Sequence, residues 1–212
     1  LDWKKLFGFG NKHKNEIMSD QIAKEIGFTE EVIHIIKASV SSSLQPLIIN
    51  ELYNEGETRT AGISFMTPED KAEKVVVDLQ SRLKQMGYLV FICERDFGNE
   101  RKSMCKVGII KGHDQFEILK VQQTNGDNYD ISNEDVSAKL REWNDRYPFN
   151  MIGADYDWVE AIFSELPADQ QMKSFAQEIY EFCPDVVDQG TETIEALIEE
   201  MRRTNKLFLW WD

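Results

Sequence analysis

The heptapeptide YLVFICE, residues 88–94, constrains the fold more than any other stretch of this chain. Its near-continuous apolarity lacks the alternation of a strand with one wet face, so it reads as a strand covered on both sides. The residues before it supply one cover. In TPEDKAEKVVVDLQSRLKQMG, Thr67 stands as N-cap, Pro68 at the first helical position, acids in the first turn and Gly87 past the end. The spacing predicts a helix with Ala72, Val75, Val76, Leu79, Leu83 and Met86 on its buried stripe. Upstream, AGISFM and Leu47–Tyr53 read as strands, and Asp20–Lys37 as one or two helices broken near Gly27, with Thr29 as the restart cap.

Downstream, CKVGIIK, the turn GHDQ and FEILKV predict a hairpin. After the polar loop TNGDNYD, Ser132 and Asp135 form a capping-box pattern that opens a helix with Val136, Leu140, Trp143 and Tyr147 on its inner face. FNMIGA reads as a strand and DYDWVEAIF as a helical turn or short strand. PADQQMKSFAQEIYEFC places Met172, Phe175, Ala176, Ile179 and Cys183 on one helical face; TETIEALIEEMRR is a second helix and KLFLWWD a closing strand. The elements interleave without a strict βαβ repeat. The expected class is therefore α+β, a mixed, largely antiparallel sheet with helices packed on it. Three regions are expected: a basic arm over 1–15, an N-terminal α/β region over 16–124 that shares one sheet with the rest, and a C-terminal domain over 125–212.

A net charge of −14 over 212 residues argues against nucleic-acid binding through a general basic surface, since that affinity comes from neutralising phosphates. A basic protein is the partner such a chain attracts. Charge is uneven, because residues 1–15 hold Lys4, Lys5, Lys12 and Lys14 against Asp2 alone. No apolar run is long enough to span a bilayer, and the opening segment is too interrupted for a signal peptide. Three scattered cysteines, Cys93, Cys105 and Cys183, point to a reducing, cytoplasmic setting, with Cys93 and Cys105 near each other across a hairpin as free thiols.

Three spaced groups carry a resemblance: Trp143 with Arg146 and Tyr147; Cys183, Pro184 and Asp185 with Gln189 and Gly190; and Trp210, Trp211 and Asp212. Over residues 125–212 the chain resembles a bacterial domain family of unknown function marked by these motifs. The resemblance implies no activity.

The stretch CPDVVDQG admits two readings. Structurally, Pro184 ends a helix near Cys183, Asp185 or Asp188 caps the next helix, and Gly190 allows a tight turn. Chemically, Cys183 is a candidate nucleophile with Asp185 and Asp188 beside it, but His13, His34 and His113 lie in segments that offer it no base. Asp155 and Asp157, joined with Asp185 or Asp188, are the candidate oxygen ligands for magnesium, calcium or manganese. Arg146 is expected to pair with Asp185, Asp188 or Asp212, and Trp210 and Trp211 to point to opposite faces of the last strand. Candidate binding residues are Trp143, Arg146, Gln189 and Trp211. The leading expectation is a non-enzymatic, acidic protein-binding module, of which an immunity-type role is one form, with no cofactor. The alternative is an enzyme or a small-molecule or metal binder whose site surrounds CPDVVDQG.

Overall fold

The computed structural model describes residues 20–50, 58–95 and 103–212; the expected basic arm over 1–15 lies outside them. A helical stretch over 20–25 precedes helix α1 (Glu30–Ser39), whose Thr29 cap accepts from the Val32 N–H at 3.3 Å. Strands β1 (Gln45–Asn50) and β2 (Thr58–Pro68) lead into helix α2 (Glu69–Leu83), which a 3-10 turn (Lys84–Met86) and the left-handed Gly87 connect to β3 (Tyr88–Glu94). Then come β4 (Met104–Lys111), α3 (Glu117–Gln122), α4 (Asn133–Arg146), β5 (Phe149–Ala154), β6 (Trp158–Phe163), α5 (Asp169–Phe182), a π-helical turn (Val186–Thr191), α6 (Ile194–Thr204) and β7 (Lys206–Trp210).

The seven strands among the described residues form one mixed sheet in the order β1-β2-β4-β3-β5-β6-β7, antiparallel except for the parallel β3–β5 pair. Helices cover both faces. Val90 and Ile92 of β3 join the core under α1 and α2, while Leu89, Phe91 and Cys93 join the core under α3 to α6. That double covering is why YLVFICE is apolar at successive positions. Trp143 and Phe175, edge to face with centroids 5.4 Å apart, anchor the second core.

The central pairing is weak in backbone terms and reinforced by side chains. β3 and β5 share one registered pair, Ile92 with Gly153. From one face, Gln80 Nε2 donates to the carbonyls of Val90 and Met151 at 2.8 and 2.7 Å. From the other, Gln122 Nε2 donates to Cys93 and Ala154 at 3.2 and 3.0 Å. Each glutamine thus ties one carbonyl of β3 to one of β5, replacing ladder bonds that the single registered pair does not provide.

Two expectations are corrected, and a third, on Cys93 and Cys105 as free thiols, holds with one refinement. FEILKV forms helix α3 and not the second arm of a hairpin: Asp114 accepts from the Phe116 N–H, and Glu117 reaches back to the N–H groups of His113 and Asp114, all at 3.1 Å. The D-x-x-E pattern of a capping box was present at Asp114 and Glu117 and marks a helix start. Thr67 does not cap α2, because the β2–β4 ladder holds Thr67 and Pro68 opposite Cys105 and Met104, so the helix begins at Glu69 without a side-chain cap. Cys93 and Cys105 occupy neighbouring strands but opposite faces of the sheet, each buried as a free thiol.

Candidate functional site

The stretch from Cys183 to Gly190 is held from three directions. Pro184 ends α5 as expected, with Cys183 at its C-cap. The Cys183 thiol is fully buried, donates to the Trp210 carbonyl at 3.0 Å, and is pushed up to about 12 chiefly by burial. A buried thiol held protonated is a poor nucleophile at neutral pH. The chain then makes the π-helical turn, passes through Glu192 at φ 66°, and starts α6 on a Thr193 cap that accepts from the Ala196 N–H at 3.1 Å.

Neither aspartate caps that helix, which corrects the structural reading of the motif. Asp185, 2% exposed, accepts from the Tyr129 hydroxyl at 2.6 Å, the Gln189 amide at 2.8 Å and the Asp212 backbone N–H at 2.9 Å. Burial alone would raise its pKa; the hydrogen bonds from Tyr129, Asp212 and Gln189 outweigh that and hold the carboxyl below the ordinary range. The same contact with Asp185 is the first cause that pushes the Tyr129 phenol up to about 12. Asp188 instead accepts from the Tyr180 hydroxyl at 3.0 Å. Gly190 is needed for space and not for a left-handed turn: a Cβ there would stand 2.6 Å from the Trp210 ring.

The other candidate residues sit elsewhere. Arg146 pairs with Glu178 and Glu142, not with Asp185, Asp188 or Asp212, because it lies on the α4 surface that faces α5. Glu178 also accepts from the Trp143 indole at 3.3 Å, and Trp143 is fully buried. Trp211 is 3% exposed, and its indole donates to the Phe182 carbonyl at 3.3 Å. Burial raises the pKa of the Asp155 carboxyl, whose Oδ1 accepts from the Tyr156 N–H. Asp157 is exposed, and its carbonyl accepts from the Trp211 N–H at 2.9 Å. Among the described residues no group of three or more His, Cys, Asp or Glu side chains could hold a metal ion.

Two clefts open beside this motif, and only the tertiary structure makes them visible. The face of the sheet that α1 and α2 cover continues onto β6 and β7, where Trp158, Phe208 and Trp210 pack at its margin. The larger cleft, about 600 Å³, is lined by Arg95, Glu160, Gly190, Thr191, Glu200, Lys206 and Trp210, among others. At its floor Glu160, 4% exposed, faces Arg95 at 2.8 Å and Lys206 at 2.8 Å; Arg95 also meets Glu69 at 3.2 Å and Lys206 meets Glu73 at 2.6 Å. Both cations are thus matched by carboxylates of the chain itself. The second cleft, about 540 Å³, is lined by Asp157, Trp158, Phe208, Trp210, Trp211 and Asp212. Phe208 and Trp210 are common to both. Sequence reasoning missed Glu160, Lys206 and Phe208; the signal was a charge at the centre of the otherwise apolar strand WVEAIF, which demands a buried partner.

No helix among the described residues is long and apolar enough to cross a membrane. No curated protein and no solved structure matches the chain. A family model does match, described as a domain of unknown function (DUF4253), over residues 106–212, half of the chain. The match begins at β4, upstream of the 125 expected from the motifs, and takes in α3, the CPDVVDQG loop and both tryptophans of β7 and its continuation. The chain therefore belongs to the DUF4253 family.

Proposed function

We propose that the chain is a non-enzymatic binding module that holds a basic protein partner against the margin of the sheet at β6 and β7. The observation that carries this reading is the pair of adjoining clefts that share Phe208 and Trp210, bordered by Glu200, Asp157 and Asp212. Aromatic surface flanked by charge is the composition of protein-recognition surfaces. The overall charge of −14 would draw a basic partner at long range. The cations in the larger cleft, Arg95 and Lys206, are matched by Glu69, Glu73 and Glu160, so they leave little positive potential to repel it. An immunity-type role, in which a bacterial cytoplasmic protein covers a basic effector, is one concrete form. The enclosed Cys183 and the fully engaged Asp185 favour this reading over catalysis at CPDVVDQG.

The test is capture from an extract of the native host with the wild-type chain and with the exposed double variant Asp157→Lys/Glu200→Lys. Support requires a basic protein retained by the wild type, released by the variant, and bound again when both proteins are purified. Retention of nothing, or of a partner indifferent to the charge reversal, refutes the reading.

A further inference from the structure

In the polar loop TNGDNYD stands the one asparagine of the chain that is followed by glycine, Asn125-Gly126. Such a pair is labile in an open chain: glycine puts no side chain beside its nitrogen, so that nitrogen can reach the asparagine side-chain carbon and close a cyclic imide. In the fold both reacting groups are engaged. The Gly126 N–H, which must lose its proton to attack, donates to the Ile131 carbonyl at 2.9 Å. The Asn125 side chain is pinned at both ends, Nδ2 donating to the Gln123 carbonyl and Oδ1 accepting from the Asp127 N–H, each at 2.9 Å. Asn125 is 9% exposed, and its own N–H donates to the Tyr156 carbonyl at 2.8 Å. The Trp211 ring lies against the pair, since a Cβ on Gly126 would stand 2.8 Å from it. That ring is held in turn by the Trp211 N–H on the Asp157 carbonyl at 2.9 Å and by the indole on the Phe182 carbonyl at 3.3 Å. Trp211 and Asp212 follow the end of β7, so they can lift without unfolding the sheet.

We propose that Asn125 is a latent deamidation site that the Trp211 clasp holds shut, so that lifting of residues 211–212 is recorded as a covalent change. The reaction needs only water. The deprotonated Gly126 nitrogen bonds to Asn125 Cγ, the Cγ–Nδ2 bond breaks, and the amide nitrogen leaves as ammonia with the proton that Gly126 gave up. Water then opens the imide at either carbonyl to aspartate or isoaspartate, with no change in oxidation state. Isoaspartate routes the backbone through the side chain and displaces the Gly126 carbonyl, which accepts from the Tyr129 and Ile131 N–H groups at 2.8 and 3.1 Å. Tyr129 donates to Asp185 at 2.6 Å, so the change reaches the CPDVVDQG loop. The inference stands apart from the proposed function, because it needs no partner.

The full chain is incubated at mildly alkaline pH in buffer, in guanidinium chloride below the unfolding midpoint and fully denatured, and residue 125 is followed by peptide mapping with detection of isoaspartate. Denatured chain should convert at least tenfold faster than folded chain. Below the midpoint the rate should rise with denaturant less steeply than global unfolding does, because only a small surface opens. Trp211→Leu keeps apolar bulk but loses the indole bond to Phe182, and should convert at least tenfold faster than wild type in buffer while its amide resonances stay dispersed. Asn125→Gln, whose imide is a larger ring that closes more slowly, should leave the peptide unchanged throughout. Equal rates in folded and denatured wild type, or no conversion of the denatured chain, overturn the proposal. A slope equal to that of global unfolding, or a folded Trp211→Leu that converts at the wild-type rate, overturns Trp211 as the clasp. Asp185→Asn should destabilise refolded, isoaspartate-bearing chain less than unconverted chain; an equal loss overturns the link to Asp185.

Discussion

Replacing Gln80 with methionine tests whether side chains hold the centre of the sheet together. Methionine keeps the length and the apolar stem of glutamine but cannot donate to the Val90 and Met151 carbonyls, which receive Nε2 at 2.8 and 2.7 Å. A net hydrogen bond contributes roughly 0.5–1.5 kcal/mol, and a buried acceptor left without its donor costs roughly 1–3 kcal/mol. Gln80 is only partly buried, so water reaches the seam and sets the lower part of that range. The expected loss for Gln80→Met is therefore about 1–2 kcal/mol, a fall of roughly 2–4 °C in melting temperature per kcal/mol for a chain of this size. Gln80→Glu should cost more, because a carboxylate would face two carbonyl oxygens in place of a donor. Gln122→Met removes the equivalent tie on the opposite face, to Cys93 and Ala154. The two variants share one seam, so their effects should not add. Urea denaturation measures the totals, and amide exchange should show β5 opening before β2 in each variant. A loss below about 0.5 kcal/mol for Gln80→Met, the level of an ordinary surface substitution, or exchange spread evenly over the sheet, would refute the seam argument.

Asp185→Asn should destabilise by about 1–3 kcal/mol at pH 7, since an amide cannot accept from Tyr129, Gln189 and the Asp212 N–H together. The Asp185 pKa is lowered in the folded chain, so its contribution is present above the unfolded value of about 3.9 and is lost as pH falls through the lower folded value. The gap between variant and wild type in urea should accordingly close below about pH 4; a gap constant from pH 7 to pH 3 would contradict this. Gly190→Ala should cost about 1–3 kcal/mol by forcing the Trp210 ring aside, visible as a change in tryptophan emission; an unchanged melt and spectrum would show that the ring moves freely. A fragment of residues 106–212 should lack dispersed amide resonances, because β4 pairs only with β2 and β3, and β3 lies between β4 and β5. A fragment starting at 58 retains those neighbours and should fold; a well-folded 106–212 fragment would disprove the dependence.

Much of the fold was legible along the chain because it is written in local periodicity and local capping. The stripe of α2, the capping box of Ser132 and Asp135, the apolar face of α5 and the two-sided burial of β3 each follow from residues within one or two turns of each other. FEILKV was misread because Phe116, Ile118 and Val121 are residue types that favour strands, although Asp114 and Glu117 carried the helix signal at its start. The CPDVVDQG motif marked the right neighbourhood but not the roles of its residues. Thr193 lies close enough to serve as the cap and did, whereas the partners of Asp185 come from Tyr129, 56 residues away, and from the Asp212 backbone, 27 residues away.

What the sequence determined alone is most of the long helices and strands, their buried faces and the charge of the whole. Strand order, the glutamine ties between β3 and β5, the pairing of Arg146 with Glu178 and the aromatic clefts at β6 and β7 were decided only by the tertiary structure. Each depends on contacts between distant segments, and side-chain donors and acceptors of the same type are interchangeable in sequence until packing brings one of them within about 3 Å of its partner.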